Sequence, residues 1–205
     1  MAYQTIWHYT DLPLEVVDII ERDLEDKFDE ELATSKLYNQ AIDKNKRNAK
    51  NAWVPTSHWI TGFLWHYVMK ANRENFLYDL ETIDGETLQY TSYTKGEYYG
   101  WHTDYSITQA YTPIDKNKKD MILQDHVAKE SEMVRKLSFS LQLSDPDDYE
   151  GGNFQLIDES GKLYVAPRKR GTIILFDSRT QHRVLKVKKG RRKSIVGWVV
   201  GPRWK

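Results

Sequence analysis

Three residues set the chemical question: His102, Asp104 and His182. His102 and Asp104 stand at i and i+2, so an extended backbone turns both side chains to one side. His182 follows the apolar run GTIILF and lies 78 residues beyond Asp104. Two imidazoles and one carboxylate can occupy one face of an octahedral iron(II). Three positions then stay open for small molecules, the arrangement used by non-haem oxygenases. His-x-Asp by itself reads more readily as a surface turn with a satisfied histidine.

A second group adds to the first. Arg192 comes ten residues after His182, and Ser194 follows at i+2 on the same face of an expected strand. A fixed guanidinium beside a hydroxyl can hold a carboxylate by a charge-assisted, bidentate pair. If a keto-acid chelated the metal, its far carboxylate would sit over a neighbouring strand. Taken alone, Arg192 also fits a solvated basic turn, KVKKGRRK.

The elements that must position these groups change character along the chain. Asp11 and Pro13 are helix-start signals, and Leu14, Val17, Ile20, Leu24 and Phe28 then form one apolar stripe. Residues 34–50 are polar and lysine-rich and read as a helix end plus loop. A second helix is expected over about 57–71, capped by Ser57, with Trp59, Phe63 and Tyr67 on one face. The aromatic residues of 53–67 are expected in the core. From about Glu86 the period shifts to that of strands, with QYTSYTKGEYYGWHTD broken at Lys95-Gly96. KLSFSLQL alternates, placing Leu137, Phe139, Leu141 and Leu143 on one face. Short strands follow at NFQLI, KLYVA, GTIILF, RVLKV and KSIVGWVV, closed by turns. The expected fold is mainly β (α+β), a double-sheet β core with N-terminal helices packed outside it.

Composition narrows the class. The chain has 205 residues, of which 40% are hydrophobic and 13% aromatic, so one domain with a real core is expected and disorder is not. There is no cysteine, which excludes a disulfide framework, a thiol nucleophile, an iron–sulfur cluster and thiolate zinc sites. No apolar run approaches the roughly 18–20 residues that span a bilayer. The start MAYQTIWHYTDLPLEV lacks a basic n-region and an apolar h-region, so a cytoplasmic protein without a secretory signal is expected. The net charge of zero hides a split. Residues 167–205 carry thirteen basic side chains and one acid, Asp177, against seventeen basic and twenty-nine acidic in the first 166. Such asymmetry fits an anion site, a nucleic-acid face, or two halves that pair internally. The expectation is internal pairing, with the acidic N-terminal helices against the basic β half and no tight nucleic-acid binding.

Four segments in order now carry a resemblance. They are Tyr93, Gly96, Tyr99, His102 and Asp104 as Y-x-x-G-x-x-Y-x-x-H-x-D; LSFSLQLSDPDDYEGGNFQL at 137–156; Pro167, Gly171, Phe176, Ser178, His182, Arg183 and Val184; and His182, Arg192, Ser194 and Trp198 as H-x9-R-x-S-x3-W. Pro167 sits one residue further out than the family spacing. Over roughly residues 55–200 the chain resembles the iron(II)/2-oxoglutarate-dependent dioxygenases of the prolyl-4-hydroxylase-like group, particularly the PKHD-type hydroxylases.

The resemblance implies a double-stranded β-helix, a jelly-roll variant, as one domain over 1–205. Residues 1–80 would be mainly helical support and 81–205 the core, with an insertion at about 105–134. It implies that His102, Asp104 and His182 ligate iron(II) and that Arg192 pairs with the distal carboxylate of 2-oxoglutarate. Tyr93 would hydrogen-bond this co-substrate, and Ser194 would be a second carboxylate partner. Trp198 matches a family tryptophan near the pocket, and core packing explains it equally. Gly151 and Gly152 would form a turn at the pocket edge. Dioxygen is the implied oxidant and ascorbate an accessory cofactor. The implied activity is hydroxylation of an unactivated C–H bond of a prolyl or other side chain of a peptide or protein, with succinate and carbon dioxide as co-products. A free amino acid or small metabolite, a nucleic acid, and a non-catalytic jelly-roll binding module are the alternatives. Against the nucleic acid, demethylating relatives place a second arginine six residues after the first, where this chain has Trp198.

The stretch 105–134, with Tyr105, Tyr111 and His126, reads as a lid or as a plain surface insertion. His126 is expected at the surface. His8, His58 and His66 are expected to serve packing or solvent contact, and SDPDDYE to be turn chemistry.

Overall fold

The computed structural model describes residues 4–35, 46–84, 87–105 and 133–204. In chain order the elements are β1 (Ile6–Tyr9), α1 (Leu14–Phe28), β2 (Ala33–Thr34), β3 (Arg47–Asn48), β4 (Lys50–Pro55), α2 (Trp59–Ala71) and a π-helical turn (Asn72–Phe76). Then come β5 (Thr82–Ile83), β6 (Thr87–Tyr93), β7 (Tyr98–His102), β8 (Met133–Gln142), β9 (Tyr149–Gly151), β10 (Phe154–Ile157) and β11 (Leu163–Val165). The last four are β12 (Ile173–Asp177), β13 (His182–Val184), β14 (Val187–Gly190) and β15 (Arg192–Pro202).

The strands form a jelly-roll of two facing sheets. The main sheet runs β1-β12-β8-β15-β6-β4-β2, with β5 also on β15, and the smaller runs β11-β10-β13-β7-β3; β14 and β9 pair separately. All pairings are antiparallel. The helices cover the outer face of the main sheet. Val17, Ile20, Leu24 and Phe28 of α1, and Ile60, Leu64, Val68 and Ala71 of α2, are buried there with Leu137, Phe139, Leu141, Ile195 and Val199. Each fully buried Leu or Ile contributes roughly 1.5–3 kcal/mol. Gly197 lets the layers close, since a Cβ there would meet Phe139 Cζ at 2.2 Å.

The alternation of β8 hides a second buried face. Ser138, Ser140 and Gln142 are buried, like Phe139 and Leu141 between them, because they face the space between the sheets. Polar residues are tolerated there because they line a cavity and bond one another, as Ser138 and Ser178 do at 3.0 Å.

Several N-terminal expectations need correction. Leu14 is 51% exposed and stands off the apolar stripe. Of the span 34–50, residues 36–45 lie outside the described residues; in the rest, α1 having stopped at Phe28, Thr34 of β2, β3 and the start of β4 stand where a helix end was expected. His58, not Ser57, caps α2, its Nδ1 accepting the Ile60 N–H at 3.4 Å. Phe63 and Tyr67 are partly buried and pack against the edge of the core, but Trp53 and Trp59 are about half exposed rather than core. His8 and His66 are exposed.

The charge split resolves into a seam. Arg170 pairs with Asp18 and Glu21, Lys193 with Glu21 and Glu25 at 2.5 Å each, and Arg191 with Asp29. The acidic side of α1 thus lies along the basic end of β15 and the turn before β12. Arg191 lowers the Asp29 carboxyl by direct hydrogen bonding, against the upward pull of burial. Among the described residues, no helix is long and apolar enough to cross a membrane.

Candidate active site

The metal-type residues meet at the centre of the smaller sheet. His182 of β13 and His102 of β7 are cross-strand partners, and the register slips between His182 and Val184, where Val184 faces Tyr99. This bulge bends β7 so that Tyr99 and His102 both turn inward. The two imidazole centroids are 4.1 Å apart. Asp104 follows on a backbone held by the Ser178 carbonyl, which accepts its N–H at 3.0 Å. His182 Nε2 lies 3.3 Å from Asp104 Oδ2, and His102 Nε2 lies 3.8 Å from Oδ1. One donor atom from each of the three falls within 4.8 Å of the others.

Protonation suits a cation. His102 Nδ1–H is directed at the Gly100 carbonyl at 2.8 Å and His182 Nδ1–H at the Thr180 carbonyl at 3.0 Å, an assignment that leaves both Nε2 lone pairs facing Asp104. Burial, then the neighbouring His182, pushes the His102 pKa down to about 3, so it is a neutral donor at physiological pH. Burial opposes ionisation of Asp104, but His182, His102 and Arg135 together hold its carboxyl well below the usual carboxylate range. Two imidazole Nε2 atoms and one carboxylate match the donor set of a non-haem iron(II) site. Tyr99 stacks on His102 with centroids 3.5 Å apart, and Phe176 and Phe154 flank His182.

The facing sheet supplies a cation. Arg192 and Ser194 point inward from β15, at 4% and 1% exposure. Arg192 Nη1 donates to Ser194 Oγ at 3.3 Å, and its guanidinium carbon lies 5.7 Å from the ring of Tyr93, its partner across β6. Among the described residues no carboxylate lies within ion-pair distance of Arg192. Burial raises the Tyr93 hydroxyl, keeping it a neutral hydrogen-bonding group. Gly152, at φ 61°, packs on this arginine: a Cβ there would sit 3.2 Å from Arg192 Cδ.

His102, Asp104, His182, Tyr93, Arg192 and Ser194 border one cavity of about 780 Å³. Six of the seven expected site residues cluster at its metal and arginine ends. The seventh, Trp198, lines it further along β15, where Arg135 lies 4.3 Å over its ring and Trp53 is 6.4 Å away. Tyr105 lines it too, while Tyr111 and His126 lie outside the described residues.

The sequence reading missed other lining residues, including Arg47, Asn51, Trp53, Gln89 and Arg135. Gln89 had a signal, lying at i−4 to Tyr93 on one strand face. Arg135 did not: pairing jumps from Val199↔Leu137 to Val200↔Arg135, and the bulge reverses the parity that would have turned Arg135 to the helices.

Comparison with known proteins agrees with this geometry. Residues 88–200 match the 2OG-Fe(II) oxygenase superfamily. A PKHD-type hydroxylase of Parvibaculum lavamentivorans is 32% identical over 52% of this chain and 38% of its own length. One from Picosynechococcus is 30% identical over 81% of this chain and 64% of its own length. The chain therefore spans less than two thirds of these curated relatives. Among solved structures, a Pseudomonas putida prolyl-4-hydroxylase superposes with TM-score 0.67 at 19% identity, covering 98% of this chain and 94% of that one. A Trichoplax adhaerens prolyl hydroxylase, solved with a hypoxia-inducible-factor peptide fragment, gives 0.69 at 14% identity, covering 96% and 84%. The similarity to these structures is one of fold, and with the match over residues 88–200 it shows that the chain belongs to the 2OG-Fe(II) oxygenase superfamily.

Proposed function

We propose that the chain works as a single-domain iron(II)- and 2-oxoglutarate-dependent dioxygenase that hydroxylates an unactivated C–H bond. One observation carries the reading: a buried arginine without an acidic partner among the described residues shares a cavity with a converging His-Asp-His set. The first supplies what a distal carboxylate needs, the second what a keto-acid-chelating iron needs.

In this reading His102, Asp104 and His182 hold the metal, and Arg192 and Ser194 hold the co-substrate's far carboxylate. Tyr93 donates its neutral hydroxyl to the co-substrate. Iron(II) with 2-oxoglutarate and dioxygen would supply the oxidising chemistry, with ascorbate keeping the iron reduced. The protein orients the reactants and excludes water. Cavity volume remains toward Trp198, Trp53 and Arg135, and there the substrate would lie. Prolyl-hydroxylase relatives of the same fold favour a prolyl or other side chain of a peptide, with succinate and carbon dioxide released. The alternative is a free amino acid or other small metabolite.

The test is a succinate-release screen with iron(II) over proline-containing peptides, free amino acids and methylated oligonucleotides, followed by mass analysis for an added oxygen. Turnover should require iron(II) and vanish in His102→Ala and Asp104→Ala. A chain that binds neither metal nor 2-oxoglutarate would sink the proposal.

A further inference from the structure

Leu77 has φ 55°, the one positive value among non-glycine residues described, and its side chain is 79% exposed. It follows directly on the π-helical turn Asn72–Phe76. Left-handed backbone at a residue with a Cβ persists only where its surroundings impose it, and π-turns often mark functional places in a helix. Here the buried Asn72 imposes it. Its Nδ2 donates to the Tyr78 carbonyl at 2.9 Å, its Oδ1 accepts the Tyr78 N–H at 2.8 Å, and its own carbonyl accepts the Leu77 N–H at 2.8 Å.

The result is the aim of one side chain. Tyr78 donates its hydroxyl to Asp177 Oδ2 at 2.6 Å, across 99 residues of sequence. Asp177 is 2% exposed, and its Oδ1 accepts the backbone N–H of Arg179 at 2.8 Å. It thereby shapes the tight turn Asp177–Thr180, which closes with the Thr180 N–H donating to the Asp177 carbonyl at 2.8 Å. Two carbonyls of that turn reach the candidate metal centre. Ser178 O accepts the N–H of Asp104 at 3.0 Å and of Tyr105 at 2.8 Å, and Thr180 O accepts Nδ1–H of His182 at 3.0 Å.

We propose that Tyr78 is a positioning residue for the metal centre. Through Asp177 it fixes the turn that presents Asp104 and His182. Packing accounts for its ring, which meets Trp204 edge-on at 4.6 Å and Phe76 at 5.6 Å. The strained backbone is needed to bring the hydroxyl to Asp177. This inference rests on the metal-binding reading above.

Tyr78→Phe keeps the ring and removes the hydroxyl. With Mn(II) as an air-stable probe on the full chain, its dissociation constant should rise about tenfold, the lower end for loss of an outer partner of a metal ligand. In the metal-free protein, amide exchange at Asp104 and Tyr105 should speed up. Tyr67→Phe deletes a hydroxyl from α2 in the same helical layer and should change neither. Wild-type Mn(II) affinity and wild-type exchange in Tyr78→Phe would overturn the proposal. So would equal losses in the two variants, which would mark general loosening. If the unsubstituted chain takes up no Mn(II), the metal reading fails first. Exchange then still decides whether Tyr78 holds the turn, and unchanged protection at Asp104 would refute it.

Discussion

Replacing Arg192 by methionine should make the ligand-free protein more stable and the co-substrate site useless. The guanidinium is 4% exposed, with Ser194 Oγ at 3.3 Å and the Tyr93 ring at 5.7 Å as its offsetting contacts. A buried charge without an opposite charge costs several kcal/mol, and part is recovered by those contacts, leaving about 1–3 kcal/mol to regain. Methionine keeps the apolar stem against Gly152 and adds no charge. At roughly 2–4 °C per kcal/mol for a chain of this size, the melting temperature should rise by about 2–12 °C. Binding moves the other way. Two charge-assisted hydrogen bonds at about 1.5–3 kcal/mol each make 2-oxoglutarate roughly 10²–10⁴-fold weaker. Thermal melts with Mn(II), with and without 2-oxoglutarate, read both effects. Wild type at a hundredfold excess over its dissociation constant should gain about 2.7 kcal/mol and the variant at most about 0.4 kcal/mol. A variant that melts below wild type and still gains from 2-oxoglutarate would refute the reasoning.

Three further outcomes are expected. Gly197→Ala forces a methyl to within 2.2 Å of Phe139 Cζ and should cost about 1–3 kcal/mol in urea unfolding, whereas Gly62→Ala, with nothing within 4 Å, should gain about 0.5–1. Lys193→Ala leaves Glu21 and Glu25 facing each other without their shared cation and should lose about 2 kcal/mol, less so in high salt. Burial holds the His58 pKa below 6.5, so between the lowered value and 6.5 the unfolded chain binds more protons. Stability contributed there is complete above pH 6.5 and is lost on acidification; His58→Asn, a capping residue that does not titrate, should flatten that part of the pH–melting curve.

The site was legible where its residues follow one another along strands. His102 with Asp104, and Arg192 with Ser194, share a face through i, i+2 spacing, and strand periodicity is local. Tyr93 came from the family motif. Arg135 was illegible because a bulge changes which face it takes, and bulges leave little trace in a single sequence. Arg47 and Trp53 reach the cavity from short N-terminal strands whose partners lie tens of residues away. β1 was missed for the same reason: four residues, IWHY, become a strand by pairing with β12. The charge split was read as two halves in contact, and the ion pairs between α1 and β15 bear that out. Spacing could not tell which cations would be used.

The middle of the main sheet has a consequence for how the chain is made. β15, between β8 and β6, comes last in chain order, and β1 waits for β12. Until residues 192–202 leave the ribosome, β8 and β6 each expose an unpaired edge and the helices have half a surface to cover. Folding is therefore dominated by late, distant pairings, which are slow to close and prone to aggregate while open. A nascent chain stalled before β15 should be a chaperone client, with Arg192 and Ser194 not yet made.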